Sequence, residues 1–206
     1  TLRRDVISKA DMEQLLGGAG VDNDTTVVLY GDNNNWFACW AFWQLKYYGH
    51  NDVKVMNGGR AKWSAENRPL TTDVPSQAAK TYRASEPNQS LRALRDQVLA
   101  SVNAGNVALV DLRSPDEFAG ILLAPPALPQ EGAQRGGHIP GAANIPWASA
   151  VNQADGTFKS VEELREIYGG KGISPDREII TYCRIGERSS HTWFVLTQIL
   201  GYSKVR

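Results

Sequence analysis

The stretch TTVVLYGDNNNWFACWAFWQLKYYGHNDV, residues 25–53, and the stretch REIITYCRIGERSSHTWFVLTQILGYSKV, residues 177–205, share one pattern. Tyr30 answers Tyr182, Phe42 answers Phe194, Gly49 answers Gly201 and Val53 answers Val205. Apolar pairs stand at Val27/Ile179 and Val28/Ile180. Extended upstream without a gap, the match takes in Ser8/Ser160 and Asp24/Asp176. It also sets Gly17, Gly18 and Gly20 against Gly169, Gly170 and Gly172. A gapless run with shared glycines marks a duplicated domain.

Each copy predicts the same elements. A short polar helix (SKADMEQLL; SVEELREIY) meets a glycine-rich stop. An apolar, β-branched strand follows (TTVVLY; EIITYC), read as central and buried on both faces. A turn leads into an apolar helix that ends at Gly49 or Gly201, and the next strand begins at Val53 or Val205. The class is α/β, two domains each with a mainly parallel sheet flanked by helices. The polar stretch RPLTTDVPSQAAKTYRASEPNQS reads as a linker with a short strand at TYRAS. The expected division is a first domain at 1–70, a linker at 71–90 and a second domain at 91–206. The second opens with a helix (LRALRDQVLASVNA), a strand (VALVD) and the long loop AGILLAPPALPQEGAQRGGHIPGA. VALVD has no counterpart before Thr1, and NGGRAKWSAENRPL has none after Arg206, so both domains are expected to be incomplete at the chain ends.

With 42% hydrophobic residues among 206, a packed core is expected and global disorder is not. Lys+Arg and Asp+Glu stand at 22 each, a balance that argues against nucleic acid or an anionic membrane as partner. No apolar run has the length of a membrane span, and the first residues lack a signal-peptide core. Cys39 and Cys183 lie far apart, which suggests no disulfide scaffold and a cytoplasmic setting. Three histidines and two cysteines show no metal-ligand spacing, so no metal is expected.

Cys183 carries the chemistry. It ends a strand, and Arg184, Ile185, Gly186, Glu187 and Arg188 lead into a helix that starts near Ser189. A strand–loop–helix turn aims backbone N–H groups and the positive end of a helix dipole at the loop, and both favour an anion there. Nearby arginines act in the same direction and favour a nucleophilic thiolate. Four residues separate Cys183 from Arg188. Cysteine-dependent phosphatases use a wider ring that grips a phosphate; this ring suits a smaller target such as a single sulfur atom. Cys39, mid-helix among aromatics, reads as a buried hydrophobe. Trp36, Phe37, Trp40, Phe42 and Trp43 read as core and interdomain packing, not a ligand box. His191 reads as a packing residue, and His138 as a locally hydrogen-bonded turn residue.

CRIGERSS after a buried strand, with VDLRSPDEF and GGHIPGAANIPW upstream, resembles the rhodaneses, specifically tandem-domain thiosulfate sulfurtransferases of the bacterial type. NNNWFACW, NGGRAKW and the linker are similar to the first domain of that type. The resemblance implies a thiosulfate:cyanide sulfurtransferase. In it, the Cys183 thiolate takes the outer sulfur of thiosulfate, sulfite leaves, and cyanide or a thiol removes the sulfur from the Cys183 persulfide. It implies no cofactor, a monomer, and small-molecule donor and acceptor as partners. Arg184 after the cysteine suits an inorganic dianion; 3-mercaptopyruvate is the alternative donor, and a non-catalytic binding or redox-sensing module the alternative role. Where mammalian relatives place an arginine, this chain has Glu117. Asp111, Arg113 and Glu117 are assigned to support, with Asp111 and Glu117 expected to hold Arg188. The first domain has Gly31 and Asp32 where the second has Cys183 and Arg184, and is expected to be catalytically silent.

Overall fold

The structure, a computed structural model, describes residues 5–206. Its elements alternate as the repeat requires. They are α1 (Lys9–Gly18), β1 (Val27–Leu29), α2 (Trp36–Tyr47), β2 (Val53–Val55) and α3 (Gly59–Ala65), followed by α4 (Arg95–Ala104), β3 (Val107–Asp111) and α5 (Pro115–Ala119). The chain then runs through β4 (Ala143–Asn144), α6 (Val161–Gly169), β5 (Glu178–Tyr182) and α7 (Glu187–Phe194). The chain divides into two compact units. The first runs to Gln89 and takes in Gln153–Thr157; the second holds Ser90–Asn152 and Phe158–Arg206.

In the first unit β1 and β2 pair in parallel, Val27 opposite Val53 and Leu29 opposite Val55. The second unit has a three-stranded parallel sheet in the order β4-β3-β5. Beyond β5 the chain returns at Val205, which bridges Ile179 in parallel. Mainly parallel sheets flanked by helices are therefore present in both units. Duplication extends to the caps: Ser8 accepts from the Asp11 N–H at the start of α1, and Ser160 from the Glu163 N–H at the start of α6.

The two copies differ in burial. β5 sits in a core with Val110, Leu164, Val195 and Leu196, and Ile179 and Ile180 are fully enclosed. β1, expected to be buried on both faces, exposes Val28 to 54%, and Tyr30 beyond its end is also open. Among the described residues β1 has one strand neighbour, so only part of it is enclosed. Phe37, expected in core or interdomain packing, is 55% exposed at the start of α2, while Phe42 and Trp43 are buried. Cys39 is enclosed, and burial pushes its thiol well up.

The stretch 71–90, expected as a linker, is extended and irregular, and TYRAS forms no ladder. Its second half lies along the first unit instead. The Lys80 N–H donates to the Gly17 carbonyl, and the Ser85 and Asn88 N–H groups donate to the Tyr48 and Tyr47 carbonyls. Tyr82 and Ala84 are buried there, which is the physical reason this polar stretch is ordered.

Candidate active site

Cys183 follows the last residue of β5, and Gly186 caps α7. Gly186 has φ 106°, a left-handed backbone that a side chain resists, so the sharp curl of the loop depends on glycine. The curl brings the Gly186 N–H to 3.2 Å from the Cys183 sulfur. The Ser189 hydroxyl lies 3.9 Å from the same sulfur and donates to the Gly186 carbonyl at 2.8 Å. Ser190 reaches that carbonyl with both its hydroxyl and its N–H, so the first turn of α7 is tied to the loop.

Arg188 is buried, and its two terminal nitrogens meet both oxygens of Glu117 at 2.7 and 2.9 Å. Such a fork-to-fork pair fixes direction as well as charge. Glu117 is placed by its own helix. Ser114 caps α5, its hydroxyl accepting from the Glu117 N–H, while the Ser114 N–H and hydroxyl both donate to the Glu117 carboxylate. Burial pushes the Glu117 carboxyl up, but the Arg188 guanidinium and the Ser114 donors outweigh it and hold it below its ordinary value. Burial pulls Arg188 down, and the Glu117 carboxylate together with the nearby Cys183 sulfur more than restores it.

Of the two carboxylates expected to hold Arg188, only Glu117 does so. Asp111, fully buried at the end of β3, is engaged by Arg113, whose guanidinium meets it at 2.5 Å and whose N–H donates to it at 3.0 Å. The reason is proximity along the chain: two residues beyond the strand end, Arg113 turns back over its own strand. It also donates to the Gly137 carbonyl at 2.7 Å. Asn144 of β4 fixes this turn through the Asp111 and Arg113 carbonyls.

The long loop after α5 forms one wall of the space beside the sulfur, a convergence that no periodicity in the sequence announces. Gly132, Gln134, Arg135 and His138 of this loop, with Arg113, Tyr182, Cys183 and Arg184, line an open cavity of about 650 Å³. Arg184 donates to the Gly132 carbonyl at 3.1 Å, and the Tyr182 hydroxyl accepts from the Ile139 N–H at 3.1 Å. His138 bonds the Phe118 carbonyl through Nδ1 at 2.8 Å and stacks on the Phe118 ring. His191 is fully buried between Trp147 and Phe158, away from the cavity lining. Ile185 and Glu187 complete the turn without lining the cavity. Among the described residues no group of three His, Cys, Asp or Glu side chains is arranged to hold a metal ion.

A cysteine at the end of a parallel strand, with the amide of a short glycine-turned loop directed at its sulfur ahead of a helix start, is the arrangement for which the sequence resembles the rhodaneses. Sequence comparison agrees: the profile of the Rhodanese-like domain matches residues 3–66 and 94–206, and the chain belongs to the rhodanese family. It is 57% identical over 205 residues to a Saccharopolyspora erythraea protein named "Putative thiosulfate sulfurtransferase", covering 100% of this chain and 72% of that one. It is also 57% identical to the sulfur carrier protein TtuD of Thermus thermophilus, over 98% of this chain and 72% of that one. Among solved structures it is similar to SseA from Escherichia coli, described as a 3-mercaptopyruvate sulfotransferase. That likeness has a TM-score of 0.81 and 26% identity, and covers 95% of this chain and 70% of that one.

Proposed function

We propose that this chain is a thiosulfate sulfurtransferase that carries one sulfur atom on Cys183. The observation that carries the reading is the Cys183 sulfur itself, half-buried, held 3.2 Å from the Gly186 N–H and opening into a cavity walled by arginines. The names of the relatives support sulfur transfer. In the first half-reaction the Cys183 thiolate attacks the outer sulfur of thiosulfate. The sulfur–sulfur bond of thiosulfate breaks, sulfite leaves with the electron pair, and a new sulfur–sulfur bond stands on Cys183. In the second, cyanide or a thiolate attacks that outer sulfur and Cys183 leaves as thiolate. The Gly186 N–H stands where Cys183 carries charge at the start and end of the cycle, the placement electrostatic stabilisation requires. Arg184 faces the incoming dianion. Arg188, clamped by Glu117, keeps the loop curled and acts by positioning. The protein works as a monomer in a reducing cytoplasm; among the described residues no helix is long and apolar enough to cross a membrane.

Intact-protein mass spectrometry after incubation with thiosulfate tests the proposal. The expected result is a gain of roughly one sulfur mass, removed by cyanide and absent in Cys183→Ser. No gain with thiosulfate, but a gain with 3-mercaptopyruvate, would reassign the donor. No gain with either donor would leave a binding module.

A further inference from the structure

The cavity beside Cys183 is larger than an inorganic donor requires. Its volume of about 650 Å³ falls within the range of about 300–1,000 Å³ that holds drug-sized organic ligands, whereas thiosulfate and cyanide are ions of a few heavy atoms. Its lining is also one-sided in charge: three arginines and a histidine, with no Asp or Glu among the described side chains.

The three arginines are not equivalent. Arg113 is matched by Asp111, and Arg184 is drawn to the Gly132 carbonyl. Arg135 stands on the exposed stretch of the wall, and makes no hydrogen bond or ion pair with a described side chain or backbone group. Tyr182, Ile139 and Pro140 add apolar surface.

From this we infer that the loop wall forms an acceptor subsite for an organic thiol bearing a carboxylate, and that Arg135 selects its charge. The inference rests on the sulfur-transfer reading above and names the chemistry of its second substrate. The acceptor's carbon chain lies on Tyr182, Ile139 and Pro140, and its carboxylate takes the Arg135 fork. Its thiolate attacks the outer sulfur of the Cys183 persulfide. The persulfide bond breaks with its electron pair returning to Cys183, and the acceptor departs as its own persulfide. The cationic wall also raises the local concentration of an anionic acceptor over a neutral one.

The test is single-turnover discharge of sulfur-loaded protein by mercaptopropionate, mercaptoethanol and cysteamine. These thiols carry negative, neutral and positive tails, and each rate is corrected for the fraction present as thiolate. The expected half-saturating concentration is about tenfold lower for mercaptopropionate than for mercaptoethanol, and highest for cysteamine. Added salt compresses the differences. R135A brings the anionic thiol to the level of the neutral one, and R135E reverses the order in favour of cysteamine. Three thiols that discharge the persulfide alike, or an order unchanged in R135E, would overturn the inference while leaving sulfur transfer standing. A wild-type protein that takes up no sulfur would remove both.

Discussion

The loop after β1 and the loop after β5 hold the same place in the repeat and are completed in opposite ways. After β5, the Gly186 N–H is directed at the Cys183 sulfur, and a single left-handed residue, a glycine, makes the turn. After β1, the residue in the cysteine position is Gly31, and its N–H goes to Oδ1 of Asn35 at 3.0 Å. Asn35 is fully buried, and its Nδ2 donates to the Met56 carbonyl at 2.6 Å. Asn33, Asn34 and Asn35 take left-handed angles in succession, with φ of 49°, 55° and 64°. Asparagine tolerates this region better than most residues because its short polar side chain bonds locally. The first loop is thus filled by its own carboxamide, and the second turns an amide toward its own cysteine sulfur. Strand, loop and helix supply a frame in both; they differ in what fills the curl, a buried carboxamide or a half-buried thiol beside a cavity.

The strongest way to break the comparison is to give the first loop a thiol. A Cβ on Gly31 meets nothing nearer than 3.8 Å, so Gly31→Cys fits. In a Cys183→Ser background it is expected to load no sulfur by mass spectrometry, because the buried Asn35 carboxamide fills the curl of this loop and Trp36 stands where the second copy has Arg188. Loading at residue 31 would show that the thiol alone decides. Next comes the clamp. Glu117→Gln leaves the buried Arg188 charge without its counter-charge, which is expected to cost on the order of 2–4 kcal/mol in urea unfolding and to slow sulfur loading. Unchanged stability and kinetics would mean that the loop is held without this pair.

Acid sharpens the same point. The folded Glu117 carboxyl lies below its ordinary value, so the clamp is complete above the ordinary carboxylate range and is lost as pH falls through the folded value. Sulfur loading by wild type should therefore fall off in acid, while E117Q should lack that limb; matching acid profiles would rule the clamp out as its source. The smallest effect belongs to the first unit. Asp32 pairs with Arg60 by an equally good fork at 2.9 Å, but both side chains are more than half exposed. Asp32→Asn is expected to leave the urea midpoint unmoved, and a clear shift would show that exposure does not separate the two pairs.

The repeat made much of the fold legible, because glycine stops and β-branched runs recur at fixed positions and both report local backbone preference. Cys183 and its loop were legible for the same reason, since strand end, glycine and helix start are neighbours in sequence. Partners distant in sequence were harder to assign. Glu117 was singled out, and its hold on Arg188 is present, but Asp111 went to Arg113, a choice set by how the chain turns after β3. The S-x-x-E spacing at Ser114–Glu117 was a usable sign that this carboxylate would be fixed by a cap. The cavity wall gave no comparable signal. Gly132, Arg135 and His138 share no period, and their convergence depends on where a long loop comes to rest. The exposure of Val28 and Phe37 escaped notice because periodicity reports apolar character and not what covers it.

That loop is pinched at its neck. A Cβ on Gly120 would lie 2.8 Å from the Gly137 nitrogen, and one on Gly136 would lie 3.0 Å from the Gly120 carbonyl oxygen, so the backbones pass where no side chain fits. His138 on Phe118 fastens the chain just outside the crossing. Doubling the length of a flexible loop costs only about 0.6 kcal/mol once its ends are fixed. Residues between the two glycines are therefore free to vary in number and kind over evolutionary time, like an exchangeable cassette, while the cysteine turn on the other side of the cavity stays as it is.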